Sequence, residues 1–203
     1  MARLLLATRN EGKLAELQRV LAGAGLAVEL LGLRDVAAYD DVPETGATFA
    51  ANALLKARAA VTATGLPALA DDSGLCVDAL AGMPGVLSAR WAGEHGDDAA
   101  NIGLLLGQLA DTPAERRGAH FRCAAAIIMP TGEERVAYGR WPGAIEAAPR
   151  GAGGFGYDPV FVPVGGSRTS AELSAGEKDA QSHRGRALRA LVPHLTALMT
   201  QCW

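Results

Sequence analysis

The chain begins with a short apolar segment, an amphipathic stretch and a second apolar segment, and this order limits the possible folds more than any other feature of the sequence. Residues 3–7 form an apolar run that predicts a buried strand, and Asn10 is a suitable N-cap for the helix that follows. Leu14, Leu17 and Leu21 fall on one helical face, and Gly25 is expected to end that helix. A second strand is predicted over residues 27–31. The chain therefore begins as a strand, a helix and a strand, an order typical of an α/β protein.

The rest of the chain continues this mixture of strands and helices, without internal repeats or low-complexity linkers. It predicts a mixed α/β sheet with two lobes and a cleft between them. The further predicted elements, in chain order, are a helix at 48–64, strand pieces at 68–70 and 75–77 that polar residues 71–74 interrupt, a loop at 82–93, a helix at 97–109, a hairpin of 121–129 and 135–141, a strand at 160–162, a short helix after Ser174 with Glu177 as its capping box, and a helix at 185–200.

Composition excludes several classes of protein. About half of the 203 residues are apolar, which indicates a folded chain with a sizeable core, and the net charge of −3 offers no general attraction to nucleic acid or anionic membranes. The three cysteines, Cys76, Cys123 and Cys202, lack the CxxC spacing of a zinc site and favour no disulfide framework. The first apolar run is too short for a signal peptide or a membrane span, so a cytoplasmic location is expected.

The turn between the first strand and helix, Thr8 to Lys13, is a candidate phosphate site. Exposed backbone N–H groups and the positive end of the helix dipole favour an anion there, and Lys13 adds a full charge. An ordinary capped helix with a surface lysine explains the same residues equally well. The spacing of a Walker A loop is absent, so a P-loop kinase is not supported.

Asp71 and Asp72 interrupt an apolar strand and form the sharpest chemical signal in the chain. Neighbouring residues of an extended chain point to opposite faces, so one carboxylate is expected to face the cleft while the other braces a loop. Mg²⁺ needs only one or two protein carboxylates besides phosphate and water, and such a pair suits it. A turn in which both side chains bond their own backbone is the alternative.

Three further groups of residues could serve a nucleotide. Lys56 is the one cation of an Ala- and Leu-rich stretch, and Glu44 precedes that helix as a possible cap or metal carboxylate. The segment 153–159 combines glycines with Phe155 and Tyr157, which could stack on a base, or could be core aromatics in a plain turn. A last cluster of cations with one imidazole could equally be solvated helix ends; its members are Lys178, His183, Arg184 and Arg186.

Taken together, these segments closely resemble the inosine triphosphate pyrophosphatase family, which hydrolyses non-standard purine nucleoside triphosphates. The resemblance spans almost the whole chain and rests on six ordered segments: LLLATRNEGKLAEL, ETGATFAANALLKA, ALADDSGLCVDAL, MPGVLSARWAG, GGFGYDPVF and TSAELSAGEKDAQSHRGRAL. It implies an elongated mixed sheet with two α/β lobes and a central substrate cleft, forming a single pyrophosphatase domain over residues 1–203. It also implies a homodimer.

The resemblance assigns roles to individual residues. Asp72 matches the family's general base and metal ligand, and Lys56 matches the lysine directed at the triphosphate. The other matched positions are the phosphate-binding turn of Thr8, Arg9, Asn10, Glu11, Gly12 and Lys13, the substrate contact Ser73, the cleft residue Arg90, the base-packing loop of Phe155, Gly156, Tyr157 and Asp158, and the closing segment with Lys178, His183 and Arg184, which reads the base and covers it.

Two positions depart from the family pattern. Arg9 replaces the usual glycine of the turn and adds a positive charge to it. Ala51 stands where the family usually has an acid, a metal-ligand candidate, directly before the asparagine of the helix segment. Either Glu44 or Asp71 joins Asp72 in holding Mg²⁺, or the metal depends more on phosphate oxygens and water.

The expected reaction is Mg²⁺-dependent hydrolysis of ITP, dITP or XTP to the monophosphate and pyrophosphate. A phosphomonoesterase that uses the aspartate pair would release orthophosphate instead, and the chain lacks its DxDxT motif. A regulatory module that binds nucleotides without catalysis would need no metal carboxylate. The phosphate product formed from dITP separates these three possibilities.

Overall fold

The computed structural model describes residues 2–26 and 28–201, which contain five α-helices and six strands that belong to one mixed sheet. The strand order is β2 (Val28–Leu31), β1 (Ala2–Leu6), β3 (Ala68–Val77), β4 (Gly118–Ile128), β5 (Glu134–Ile145) and β6 (Phe161–Pro163). Strand β1 pairs in parallel with β2 and β3, and β5 pairs antiparallel with β6. This confirms the predicted mixed α/β class. The elements are β1 Ala2–Leu6, α1 Glu11–Gly23, β2 Val28–Leu31, α2 Phe49–Thr64, β3 Ala68–Val77, α3 Asp98–Gln108, β4 Gly118–Ile128, β5 Glu134–Ile145, β6 Phe161–Pro163, α4 Ala175–Gln181 and α5 His183–Gln201.

The chain divides into two compact units, and β3, β4 and β5 each contribute residues to both. Unit 1 contains the described residues up to Asp72, Cys123–Gly139, and those from Arg184 onward. Unit 2 contains Ser73–Arg122 and Arg140–His183. None of the helices in the described part of the chain is long and apolar enough to cross a membrane.

Unit 1 places helices against both faces of its strands. Side chains of a strand alternate between faces, and in β1 the buried Leu4 and Leu6 share one apolar cluster while Leu5 belongs to another. The first cluster includes residues of α1 and α5, and the second contains Ala57 and Ala60 of α2. The apolar run predicted as a buried strand is therefore covered on both sides.

Unit 2 has an aromatic core. Phe121 of β4 meets Phe161 of β6 edge to face with ring centroids 4.7 Å apart, and Trp141 of β5 meets Phe161 at 5.3 Å. Such offset and perpendicular arrangements suit the charge distribution of aromatic rings. Leu105 of α3 and Leu109, which follows the end of that helix, also belong to this core.

One predicted break in the sheet is wrong. Residues 71–74 do not interrupt the strand, because β3 runs without a break from Ala68 to Val77. The aspartates stay in the strand since side chains of other elements satisfy both carboxylates, as described below. Most of the other predicted elements form within one to four residues of the expected bounds, including the hairpin and the capping box of Ser174 with Glu177, and each hairpin strand is longer than predicted. Ala27, predicted to begin the second strand, and Cys202 lie outside the described residues.

Candidate active site

The turn between β1 and α1 is fixed by its own side chains. The Oδ1 atom of Asn10 accepts from the backbone N–H of Lys13 at 3.3 Å, so Asn10 is the N-cap that the sequence predicted. The backbone N–H of Asn10 in turn donates to Oγ1 of Thr8 at 3.2 Å. A Cβ atom at Gly12 would lie 3.1 Å from the Asn10 side chain, so glycine there leaves room for the cap. Glu11 begins α1, and its side chain is not among those that the structure describes.

Arg9, the unusual residue of the turn, lies on the surface. Its guanidinium pairs with Asp41 at 2.9 Å, and about 70% of each side chain is exposed. An exposed pair of this kind contributes little to stability because water screens it. The turn also borders a pocket of about 640 Å³ in unit 1, and Thr8, Arg9 and Asn10 contribute to its wall.

Lys13 turns inward from the helix and joins a buried chain of ion pairs. Its Nζ atom lies 2.9 Å from Oδ2 of Asp71, and the Nε atom of Arg184 lies 3.1 Å from the same oxygen. Arg184 also donates through Nη1 to Glu16 Oε2 at 3.1 Å. Four residues from α1, β3 and α5, namely Lys13, Asp71, Arg184 and Glu16, thus form one charge network inside unit 1.

The network keeps Asp71 ionised. Burial raises the pKa of a carboxyl group, but Lys13 and Arg184 outweigh burial and hold the pKa of Asp71 well below its usual range. For Arg184, burial opposes the charge, and Asp71 and Glu16 more than offset it, so the pKa of Arg184 is raised. Asp71 therefore serves as the fixed anion that orients Lys13 and Arg184.

Glu16 was not among the predicted site residues. It lies three positions after Lys13 on α1, the spacing that brings two side chains to one helical face. A carboxylate directly before the inward-facing Leu17 was the available signal. Its pairing with Arg184 depends on α5, which follows more than 160 residues later in the chain.

Asp72 points to a second group of partners, those of helix α2 and the loop before it. Nδ2 of Asn52 donates to Asp72 Oδ2 at 3.0 Å, and Nζ of Lys56 lies 3.7 Å from Asp72 Oδ1. Lys56 also donates to Glu44 Oε1 at 2.6 Å. Asn52 and Lys56 are four residues apart and share one face of α2, which is how the helix presents both to the strand.

Asn52 is a second residue that sequence reasoning did not select. It is fully buried, and its Oδ1 atom accepts from the backbone N–H of Gly46 at 2.7 Å. A Cβ atom at Gly46 would lie 2.7 Å from this oxygen, so only glycine permits the close approach. Asn52 therefore ties the loop before α2 to the carboxylate of Asp72. A lone asparagine four positions before Lys56 in an Ala-rich helix was the signal for it.

The environment of Asp72 differs from that of its neighbour. Burial raises the pKa of Asp72, Lys56 opposes this, and Glu44 adds to the rise, so the net pKa lies above the usual value. Burial lowers the pKa of Lys56, but Asp72, Asp71 and Glu44 together raise it, which keeps the ammonium charged. Two adjacent carboxylates are thus tuned in opposite directions, an arrangement common where one group does chemistry.

The carboxylates around Asp72 fit a hard divalent cation better than those around Asp71. In the described part of the chain, no three His, Cys, Asp or Glu side chains are grouped as a metal-binding set. Asp72 and Glu44 both approach Lys56 and supply two carboxylates, as many as Mg²⁺ uses beside substrate phosphates. Asp71, by contrast, already accepts from two cations and is 3% exposed.

The loop predicted to pack on a base is organised by Asp158 in unit 2. Oδ2 of Asp158 accepts from the backbone N–H of Phe155 at 2.8 Å and from Nζ of Lys178, and Oδ1 accepts from Oγ of Ser170 at 2.8 Å. The Lys178 ammonium lies 4.9 Å from the centroid of the Phe155 ring, within the range of a cation–π contact. Phe155 is 44% exposed although it is a large apolar side chain. Asp158 itself is buried and acts from beneath the loop.

His183 lies against the aromatic core of the same unit. Its ring is stacked on Phe121 with centroids 4.7 Å apart and planes 10° from parallel, and Trp141 follows at 6.4 Å. The imidazole is 7% exposed. Ser73 follows Asp72 in β3, and Arg90 ends the 3₁₀ helix Gly85–Arg90.

The structure thus sorts the predicted residues into separate clusters. In unit 1 it brings Lys13, Asp71 and Arg184 together, and it places Glu44, Lys56 and Asp72 together. In unit 2 it joins Phe155, Asp158 and Lys178, and it stacks His183 on Phe121. The buried ion pairs of Arg184 favour an anchoring role for this residue over direct contact with a base.

Comparison with known proteins identifies the family. The chain matches the Ham1 family over residues 4–194. A Nocardia farcinica protein named dITP/XTP pyrophosphatase is 64% identical over 199 residues, which cover 98% of this chain and 97% of that protein. The crystal structure of a nucleoside-triphosphatase, also named dITP/XTP pyrophosphatase, from Mycobacterium abscessus is 63% identical, with a TM-score of 0.78 over 95% of this chain and 99% of that one. A HAM1 protein from Coxiella burnetii is 43% identical, with a TM-score of 0.88 over 97% and 100% of the two chains. These matches confirm the resemblance drawn from the six segments and show that the chain belongs to the Ham1 family.

Proposed function

We propose that this protein hydrolyses non-standard purine nucleoside triphosphates, namely ITP, dITP and XTP, to the nucleoside monophosphate and pyrophosphate. The observation that carries the proposal is the placement of Asp72, a carboxylate of raised pKa, beside Lys56 and Glu44. The names of the relatives support the substrate class.

The phosphates are assigned to unit 1. Lys56 supplies a cation, and the N-terminus of α1 supplies backbone N–H groups and the positive end of a helix dipole. Lys13 is held at Asp71, 15% exposed, so part of its charge stays accessible at the first turn of α1. The side chains of Thr8 and Asn10 hold the turn in the conformation that presents these groups.

We further propose that Mg²⁺ is required, held by Asp72 and Glu44. The unit 1 clusters contain three cations, Lys13, Lys56 and Arg184, and four carboxylates, Glu16, Glu44, Asp71 and Asp72. Protein cations alone therefore do not offset a triphosphate. A bound Mg²⁺ would neutralise charge that builds on the pyrophosphate leaving group. Ala51 replaces the family's usual acid, and Asp71 is already paired with Lys13 and Arg184, so Glu44 is the proposed carboxylate that joins Asp72.

Asp72 is the proposed general base. It orients or deprotonates a water molecule that attacks the α-phosphorus, while Lys56 and Lys13 hold the leaving phosphates. A base works best when its pKa lies close to the working pH, and burial moves the pKa of Asp72 in that direction. Asn52 holds one oxygen of the carboxylate at 3.0 Å and Lys56 lies 3.7 Å from the other, so these two side chains set the orientation of the proposed base.

The base of the nucleotide is assigned to Phe155 and His183. The exposed ring of Phe155 offers a stacking surface, and His183 or backbone N–H groups donate to the 6-oxo group of hypoxanthine or xanthine. Adenine carries a donor at that position and would leave buried donors unpaired, at a cost of about 1–3 kcal/mol per group. The 2-amino group of guanine must be excluded by shape or by a missing acceptor.

The resemblance supports three further proposals. Residues 1–203 form one pyrophosphatase domain, the protein is a homodimer, and it acts in the cytoplasm without nucleic acid or membrane partners. A monomer mass in light scattering would contradict the dimer.

A direct assay tests the proposed function. Wild-type protein is incubated with dITP, dATP or dGTP and Mg²⁺, with and without EDTA, and the phosphate product is identified. We expect pyrophosphate from dITP, released far faster than from dATP or dGTP, and loss of turnover with EDTA. Asp72→Asn should abolish turnover with the fold intact, whereas the exposed control Asp111→Asn should leave it unchanged. Orthophosphate as the first product, or wild-type turnover by Asp72→Asn, would contradict the proposal.

A further inference from the structure

Two carboxylates hold the backbone on either side of Phe155. Asp158 accepts from the N–H of Phe155 itself at 2.8 Å, and Asp98 of α3 accepts through Oδ2 from the next N–H, that of Gly156, at 2.6 Å. These two N–H groups belong to the peptide groups that flank the Cα atom of Phe155. The backbone of this one residue is therefore fixed from both ends.

Glycines surround these bonds because the loop passes close to the carboxylates. Gly154 has a φ of +75°, and a Cβ atom there would collide with the carboxylate of Asp158. Gly156 has a φ of +61°, a conformation that other residues rarely adopt. The glycines place the loop within reach, and Asp158 and Asp98 then hold it.

Phe155 is the residue that gains from this arrangement. Its ring stays 44% exposed, and Lys178, itself held by Asp158, lies beneath it at 4.9 Å from the centroid. Leaving this much of a large apolar ring in contact with water is unfavourable, so its fixed backbone indicates a surface prepared for a flat ligand. Tyr157 adds a third anchor through its hydroxyl, which donates to the carbonyl of Ser88 at 2.9 Å.

Asp98 differs in role from its neighbour Asp97, although both lie at the start of α3. Asp97 is the N-cap and accepts from the N–H of Ala100 at 2.9 Å, so this bond stabilises the start of the helix. Asp98 is the first residue of the helix, and its carboxylate reaches the loop instead. Nothing in the sequence pattern distinguished the two.

We propose that Asp98 is a positioning residue for substrate recognition, which fixes the Phe155 ring in the orientation that receives the purine base. Asp98 acts through the peptide group between Phe155 and Gly156 and does not touch the substrate. This inference rests on the proposed function, in which Phe155 packs on the base. Asp98 should therefore control KM for the nucleotide and leave the chemical step, which belongs to Asp72, unchanged.

Three variants separate positioning from helix stability. Asp98→Ala removes the bond to Gly156, Asp98→Asn keeps an acceptor without the charge, and Asp97→Ala removes only the cap of the same helix. We expect Asp98→Ala to raise KM for dITP about tenfold, as the loss of one charge-assisted hydrogen bond permits, with kcat within about twofold. Asp98→Asn should recover most of the affinity, and Asp97→Ala should lower the melting temperature without a change in KM.

Hydrogen exchange gives a readout that does not depend on catalysis. The amides of residues 151–158 should exchange faster in Asp98→Ala than in wild type, and no faster in Asp97→Ala. Equal KM values for Asp98→Ala and Asp97→Ala, or a fall in kcat at unchanged KM, would overturn the inference. If wild-type protein releases no pyrophosphate from dITP, the proposed function is wrong. If the amides of Asp98→Ala exchange as slowly as those of wild type, Asp98 does not hold the loop, whatever the function is.

Discussion

Replacing Arg184 by methionine tests whether the buried charge network holds unit 1 together. The guanidinium bonds Asp71 and Glu16 at 3.1 Å each, and the side chain is 4% exposed. Methionine keeps much of the volume but leaves two buried carboxylates with less compensating charge. Breaking a buried pair costs about 3–5 kcal/mol, and we expect the lower end because Lys13 still neutralises Asp71 at 2.9 Å.

Thermal and urea unfolding measure this cost. In a protein of this size, 1 kcal/mol shifts the melting temperature by about 2–4 °C, so a loss of about 3 kcal/mol corresponds to a fall of roughly 6–12 °C. Arg58→Met is the matched control in the same unit. Arg58 pairs with Glu134 through two bonds of 2.7 Å, but its side chain is 53% exposed, so we expect a loss of at most about 1 kcal/mol.

The loss of stability in Arg184→Met should also depend on pH, in a direction that the pKa of Asp71 predicts. Burial opposes ionisation of Asp71, yet Lys13 and Arg184 hold its folded pKa below the unfolded value of about 3.9. The stabilisation is therefore complete above the unfolded pKa and is lost as pH falls through the folded pKa. Without Arg184 the folded pKa rises and this contribution shrinks. The stability gap between wild type and Arg184→Met should be full at pH 7 and narrow as the solution becomes acidic.

Two outcomes would refute this reasoning. One is a stability of Arg184→Met at pH 7 equal to that of Arg58→Met. The other is a gap that stays constant from neutral to acidic pH. Either result would return Arg184 to the role that the family resemblance gave it, contact with the base, with little part in stability.

Three further predictions concern Asp72, Asn52 and Tyr157. Burial, aided by Glu44 and opposed by Lys56, raises the pKa of Asp72. The value of kcat/KM for dITP should therefore fall with decreasing pH at a midpoint above the usual carboxyl pKa of about 3.9. A midpoint at or below that pKa would contradict a raised pKa for Asp72. Asn52→Leu removes both hydrogen bonds of a fully buried amide. We expect it to lower the free energy of unfolding by about 2 kcal/mol in urea and to lower turnover at least about tenfold. Unchanged turnover would show that Asp72 does not need Asn52. Tyr157→Phe leaves the carbonyl of Ser88 without its hydroxyl donor and should cost about 1 kcal/mol in the same assay, and no measurable loss would mean that this anchor is dispensable.

Local patterns predicted most of the secondary structure. Asn10 caps α1, Ser174 and Glu177 form the capping box of α4, and the hairpin of β4 and β5 turns near Thr131 and Gly132, as the sequence indicated. Each of these features depends on residues within a few positions of one another. The continuous strand β3 was not predicted because it depends on residues far away in the chain. Charged residues are favourable inside a buried strand only when distant partners satisfy them.

By itself, the sequence determined the α/β class of this protein. It also predicted a phosphate site at the turn from Thr8 to Lys13 and a metal role for the aspartate pair, and both stay predictions. It also indicated that Asp71 and Asp72 would have different roles, because neighbours in a strand face opposite ways. Only the tertiary structure decided which partners each of the two carboxylates meets. Asp71 meets Lys13 and Arg184, and Asp72 meets residues of α2, and these partners come from elements far apart in the chain. Burial and ion pairing set the pKa of each carboxylate, and both depend on which elements pack together.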